Sequence, residues 1–185
     1  LHRREGTAPA SRRCERIVVV DGRPVEEYRA MNIPGALCCP NGELAVRIGA
    51  IVPDSSTTIV INSADRTRRI VGTEILRSLG LPNPVLALRN GTMGWRLARL
   101  ALEHGSNRLF PEKPADLAIR RAAVVALAQR WGVVPAASEI VLGWATDPTR
   151  TLYVLDVRTR EEFKATHLPG AVHAPGGQLL QATDQ

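Results

Sequence analysis

Asp21-Gly-Arg-Pro-Val-Glu-Glu-Tyr28, followed by Ile33-Pro-Gly-Ala36 and Pro40-Asn-Gly-Glu-Leu44, comes back later in the same chain. The second version reads Asp156-Val-Arg-Thr-Arg-Glu-Glu-Phe163, Leu168-Pro-Gly-Ala171 and Pro175-Gly-Gly-Gln-Leu179, every position shifted by 135 with no gap. Aligned from Val18 and Tyr153, 12 of 27 residues are identical. A shift that long exceeds the period of a solenoid and marks two copies of one domain. The second copy reads as cut short, because only Gln181-Ala-Thr-Asp-Gln185 follows its opening motif. The chain also opens on Leu1, which fits a piece of a longer parent.

Outward from the repeat, the pattern alternates strands and helices. Residues 1–16 are polar and basic, a tail or linker without apolar period. Ile17-Val-Val-Val20 is a continuous β-branched run, as expected of a strand covered on both faces. Pro24 suits the first turn of a short helix through Met31, and Ile33-Pro-Gly is a turn. Glu43 to Ile51 reads as a helix with Leu44, Ile48 and Ile51 on one face. Thr57-Thr-Ile-Val-Ile61 is a second buried strand; Thr67 to Leu79 is a helix that Gly80 ends; Val85-Leu-Ala-Leu88 is a third strand. Asn90 to Trp95 turns into a last helix reaching about His104. The expected domain spans 17–105, with a linker at 106–114 and the front part of a second domain at 115–185. In that second part Ile119 to Trp131 is a helix, Ser138 caps a short helix through Trp144, and Leu152 to Leu155 is a strand. Too few helices remain there to cover its strands, so association through this part is expected.

Composition narrows the classes of function. The net charge of +6 rests on arginine, since Lys113 and Lys164 are the only lysines. Those arginines are scattered outside the tail, only seven residues are aromatic, and no nucleic-acid motif appears, so a nucleic-acid partner is not expected. A hydrophobic fraction of 44% supports a buried core, while no apolar run is long enough for a membrane span. Cys14, Cys38 and Cys39 include no Cys-x-x-Cys, and no secretory leader precedes them, which points to reduced thiols in a cytoplasmic setting. His2, His104, His167 and His173 stand at no metal-ligand spacing, so neither metal nor cofactor is expected.

Parallel α/β sheets bind ligands where the chain leaves the carboxyl end of a strand. Asn62-Ser-Ala-Asp-Arg-Thr-Arg-Arg69 sits there, between a strand and a helix, so that backbone N–H groups and the helix N-terminus form an anion site. Arg66, Arg68 and Arg69 add positive charge. Asp21, Arg23 and their counterparts Asp156 and Arg158 read as ties at the strand ends; Glu26-Glu27 and Glu161-Glu162 read as solvated helix faces.

These features, in this order, resemble the rhodanese family of sulfurtransferases and their inactive relatives. The resemblance rests on Asp21-x-Arg23, Glu26-Glu-Tyr28, Ile33-Pro-Gly-Ala36, the loop Ser63 to Arg68, Gly80-Leu-Pro-Asn-Pro-Val85 and Asn90-Gly-Thr-Met-Gly-Trp95. It covers about residues 17–105, and Ser138 to Leu179 matches the front third of a second such domain, as in bacterial proteins with several rhodanese domains in tandem. The resemblance implies a three-layer domain with a parallel sheet of about five strands between helices. It also implies a loop cysteine that takes sulfane sulfur from a thiosulfate-like anion or a persulfide donor, holds it as a persulfide and passes it on. Ser63 falls on that cysteine and Arg68 on the arginine that closes the loop; Ala64, Asp65, Arg66, Thr67 and Arg69 fill the anion-binding loop. A serine hydroxyl has no S–S chemistry and too high a pKa for thiolate-type exchange. Asp65, where related loops usually carry glycine, sets a carboxylate against the bound anion. The expectation is therefore a rhodanese domain that is catalytically silent. The alternatives are an active domain elsewhere in the parent, or a non-catalytic oxyanion-binding regulatory module.

Overall fold

The structure, a computed structural model, describes residues 16–52, 54–111, 117–176 and 179. The basic tail and Cys14 lie outside them. Four parallel strands form the main sheet: β1 (Ile17–Asp21), β2 (Leu37–Cys38), β3 (Thr58–Asn62) and β4 (Val85–Ala87), in the order β2-β1-β3-β4. β1 runs in full register along β3, from Ile17 beside Thr58 to Asp21 beside Asn62. A parallel bridge from Cys38 to Leu109 extends the sheet beyond β2 and takes the place of a fifth strand.

Helices cover both faces because the strand residues alternate between two apolar layers. Val20, Ile59 and Ile61 pack with Leu44, Ile48 and Leu76 from α2 (Asn41–Ile51) and α3 (Arg66–Ser78). On the other face Val19 joins Tyr28 of α1 (Val25–Ala30) and Trp95 of α4 (Gly91–Leu97), with Ile33, Ala36 and Cys38. This is the three-layer arrangement expected from the sequence.

The last helix differs from its sequence reading. It begins at Gly91, four residues earlier than Trp95, and stops at Leu97, with Arg99 in the left-handed region at φ 57°. The indole N–H of Trp95 then donates to the Ala101 carbonyl at 2.8 Å, holding the chain in a turn where a helix to His104 was expected. The described part of the stretch read as a linker, 106–111, is tied to the first unit. Ser106 Oγ lies 2.9 Å from the Tyr28 hydroxyl, Arg108 Nε donates to the Ala36 carbonyl at 3.1 Å, and Arg47 donates to the Pro111 carbonyl at 2.6 Å. Arg47 also lies over the Phe110 ring.

The second copy comprises α5 (Leu117–Arg130), α6 (Ser138–Thr146), β5 (Leu155–Asp156), α7 (Arg160–Ala165) and β6 (Val172–His173). Ser138 is the first residue of α6 and Ala137 its cap, so the hydroxyl makes no capping bond. β5 is two residues long where β1 has five, since β6 is its partner in a two-stranded sheet. Tyr153, Leu155 and Val172 remain exposed.

The same side-chain clasp closes the first strand of both copies. Arg23 donates through Nε and Nη2 to the Asp21 carboxylate at 2.9 and 2.8 Å, and through Nη2 to the Met31 carbonyl at 2.7 Å. Arg158 repeats this with Asp156 and the Thr166 carbonyl. The first clasp is buried, whereas the second lies open, with the Arg158 side chain 42% exposed. Hydrogen bonds from Arg158 hold the Asp156 carboxyl down at about 2. Breaking a buried ion pair strands a charge in low dielectric, at a cost of about 3–5 kcal/mol. Asp21→Ala should therefore lower the unfolding free energy by about that amount in urea titrations, while Asp156→Ala leaves the main transition nearly unmoved.

Candidate functional site

The loop after β3 is held from three sides. The Asn62 amide donates to Asp21 Oδ2 and to Thr92 Oγ1, both at 2.8 Å, and the Gly22 N–H donates to the Asn62 carbonyl at 2.9 Å. Thr92 N–H reaches the Ser63 carbonyl at 3.2 Å. Gly91, at φ +53°, lets this approach happen: a Cβ there would sit 1.9 Å from the Ser63 carbonyl oxygen and 2.8 Å from Arg69 Nη1. Below the loop the Asn41 amide donates to the Arg68 carbonyl at 2.8 Å. Asn41 fits there only because Gly22 and Gly72 have no Cβ, each of which would press within 2.5 Å of Asn41 Oδ1.

Ser63 is fully buried, and its Oγ has no hydrogen-bond partner among the described residues. Among the described residues no histidine hydrogen-bonds to it to act as base. Asp65 caps α3: its Oδ1 accepts the Arg68 N–H at 2.8 Å, and its Oδ2 pairs closely with Arg68 Nε. Arg68 Nη1 donates to Glu27 Oε1 at 2.8 Å. The arginine expected to hold an anion is thus already held by two carboxylates of the chain. Arg69 is buried as well, and its Nη1 has no partner among the described residues. Ala64 is half-buried, while Arg66 and Thr67 are exposed on the first turn of α3.

Charge follows this geometry. Burial works to raise the Asp65 carboxyl, but hydrogen bonds from the Arg68 N–H and guanidinium, with the charges of Arg68 and Arg69, bring it below the ordinary carboxylate value. Burial works to lower Arg68, and Glu27 and Asp65 more than offset it. The two described cysteines are free, buried and neutral. Burial, then the charge of Asp21, pushes Cys38 up to about 12; burial, then Cys38 beside it, pushes Cys39 up. Neither offers a thiolate near neutral pH. The described residues hold no cluster of His, Cys, Asp or Glu that could bind a metal ion, and no helix among them is long and apolar enough to cross a membrane.

The structure therefore brings together Ser63, Asp65, Arg68 and Arg69 and leaves Arg66 and Thr67 outside. It adds three residues that the sequence reading did not place at the site: Glu27, Asn41 and Thr92. Glu27 was read as a solvated helix residue, and half of the Glu26-Glu27 pair does face water, but Glu27 turns to the loop. Its repeat counterpart Glu162 closes a capping box with Thr159, which Pro24 at the matching place of the first copy cannot form, so Glu27 is left to reach Arg68. The signal for Asn41 was the pair of glycines that make room for it.

A parallel α/β domain with a buried loop between β3 and the N-terminus of α3 is defined by these features. Residues 8–98 match the family model described as rhodanese-like domain. The chain resembles a solved thiosulfate sulfurtransferase from Pseudomonas aeruginosa, with a TM-score of 0.83 and 45% identity over 91% of this chain and 32% of that one. It is 34% identical over 95 residues to the HTH-type transcriptional regulator Rv0324 of Mycobacterium tuberculosis, covering 51% of this chain and 41% of the relative. The chain carries a rhodanese-like domain. It spans less than half the length of either relative.

Because the folded Asp65 carboxyl is depressed, its contribution is present above the unfolded value of about 3.9 and is lost as pH falls through the lower folded value. Asp65→Ala should cost about 1 kcal/mol at neutral pH through loss of the cap. Unfolding titrations should show that difference shrinking as pH falls through and below the ordinary carboxylate range.

Proposed function

We propose that this is a catalytically silent rhodanese domain within a parent of the thiosulfate or persulfide sulfurtransferase type. The observation that carries the reading is Ser63, buried and without a base, at the loop position where the family places its persulfide cysteine. In a cysteine-bearing loop the thiolate attacks the sulfane sulfur of thiosulfate. The donor S–S bond breaks, sulfite leaves, and a protein persulfide remains; cyanide or another nucleophile then takes the outer sulfur and restores the thiolate. Ser63 can perform neither step, since its oxygen is not ionised near neutral pH and forms no sulfur–sulfur bond. Cys38 and Cys39 are buried neutral thiols outside the loop and offer no substitute.

In this reading the two repeat copies belong to two domains of the parent, with the first extended to about Pro111 by the strap across Tyr28 and Arg47. A reducing, cytoplasmic, bacterial setting is supported by the free thiols of Cys38 and Cys39 and by the likeness to the Pseudomonas aeruginosa enzyme. Sulfur transfer by the parent would then depend on another loop with a cysteine, and the first domain would serve as a scaffold or binding surface.

Thiocyanate release from thiosulfate and cyanide tests the reading directly. The 185-residue chain should give only the uncatalysed background, and Ser63→Cys combined with Asp65→Gly should turn over. Turnover by the unaltered chain, persisting when Ser63 becomes alanine and lost when Cys38 or Cys39 is replaced, would overturn the assignment.

A further inference from the structure

The loop carries an arrangement that silence of Ser63 does not require. Asp65 accepts from the same two donors that an incoming oxyanion would need: the backbone N–H of Arg68 in the first turn of α3 and the Arg68 guanidinium. Glu27 takes a further guanidinium hydrogen from Arg68. Nearby, two buried groups able to donate have no partner among the described residues, Ser63 Oγ and Arg69 Nη1, beside the equally unpartnered acceptor oxygens of Asn41 and Asn62. Arg69 Nη1 lies beside Gly91, 2.8 Å from where a Cβ on that residue would stand. Buried polar atoms in folded proteins are almost always paired. The loop thus holds one donor set satisfied by its own carboxylate and, next to it, two unpartnered donors, Ser63 Oγ and Arg69 Nη1.

We propose that Asp65 is a built-in ligand of this loop, and that the loop is a latent site for a small tetrahedral oxyanion that opens when the Asp65 carboxylate is removed. The inference rests on reading the segment as the family's anion loop, and it does not depend on the chemistry of Ser63. With Asp65 in place, Arg68 is balanced by two carboxylates, and an added anion meets like charge. Without it, the α3 N-terminus, Arg68 and Arg69 face one remaining carboxylate, Glu27, and an oxyanion restores the missing acceptor. Asp65 therefore decides whether the loop binds an anion, and Ser63 decides separately whether sulfur can be transferred.

Isothermal titration of the full chain with sodium sulfate, at low ionic strength in a chloride buffer, tests this. The unaltered chain should show no saturable binding. Asp65→Gly should bind sulfate at least about tenfold tighter than any residual binding of the unaltered chain. Glu27→Gln in that background should tighten it further, and Arg68→Ala in the same background should abolish it. Asp65→Asn keeps an acceptor for the Arg68 N–H while removing the charge; it should also gain binding, and it stands in if Asp65→Gly does not melt cooperatively. Binding by the unaltered chain as tight as by Asp65→Gly, no binding by folded Asp65→Asn, or binding that survives Arg68→Ala would each overturn the proposal. Sulfate binding is scored apart from thiocyanate release, so either reading can fail alone.

Discussion

The carboxylate of Asp21 sits where the ends of three elements meet. It takes hydrogen bonds from the Arg23 N–H and guanidinium on one side and from the Asn62 amide on the other. Arg23 passes the connection to the end of α1 through the Met31 carbonyl, and Asn62 passes it to the start of α4 through Thr92. Both partners are almost wholly buried, so the charge of Asp21 has no water to turn to. The placement of Ser63, at the start of the loop after β3, follows from this junction. Ser63 is the next residue after Asn62, and its carbonyl meets the N–H of Thr92. Were the junction to loosen, β1, β3 and α4 would lose their common edge, and the loop would lose its floor.

On that floor the loop separates two tasks that the family usually combines. One is the covalent chemistry of a nucleophile, the other the holding of an anion. In the proposed reading the first is absent because position 63 carries no sulfur atom. The second is opposed by a different residue, Asp65, which pairs with the Arg68 guanidinium. The neutral thiols of Cys38 and Cys39 belong to the core: Cys39 packs on the α2–α3 side of the sheet and Cys38 on the α1–α4 side. In that reading reactivity and binding depend on separate positions within one short segment.

Much of this was legible in the sequence where periodicity and repetition speak. The β-branched runs at 17–20 and 57–61 marked buried parallel strands, and the repeat marked two copies and the clasp residues Asp21 and Arg23. The loop could be located because it lies between a strand and a helix with a basic first turn. What stayed hidden depends on contacts between residues far apart in the chain. Glu27 lies 41 positions from Arg68, and no local pattern names that arginine as its partner. The early end of α4 follows from Arg99 in the left-handed region and the Trp95–Ala101 hydrogen bond, neither of which has a periodic signature. The strap at 106–111 looks like a linker because prolines mark its end, yet it is attached through the Tyr28 hydroxyl, the Ala36 carbonyl and the Arg47 guanidinium, contacts that leave no local pattern in the sequence.

The paired copies also show which property of a position the fold demands. In the first copy the Asn32 amide donates to the Tyr28 carbonyl and Cys38 Sγ to the Arg23 carbonyl, at 3.2 and 3.6 Å. At the matching places of the second copy, His167 Nδ1 lies 2.9 Å from the Phe163 carbonyl and His173 Nε2 lies 3.0 Å from the Arg158 carbonyl. An amide, a thiol and two imidazoles thus answer the same two backbone oxygens. Each neutral imidazole must carry its proton on the nitrogen facing the carbonyl, so the backbone dictates opposite tautomers, Nδ1–H in His167 and Nε2–H in His173. Duplicated domains of this kind can trade side chains freely at such addresses, provided that a hydrogen is delivered there; the grammar of the repeat is written in donors, and residue identity is its spelling.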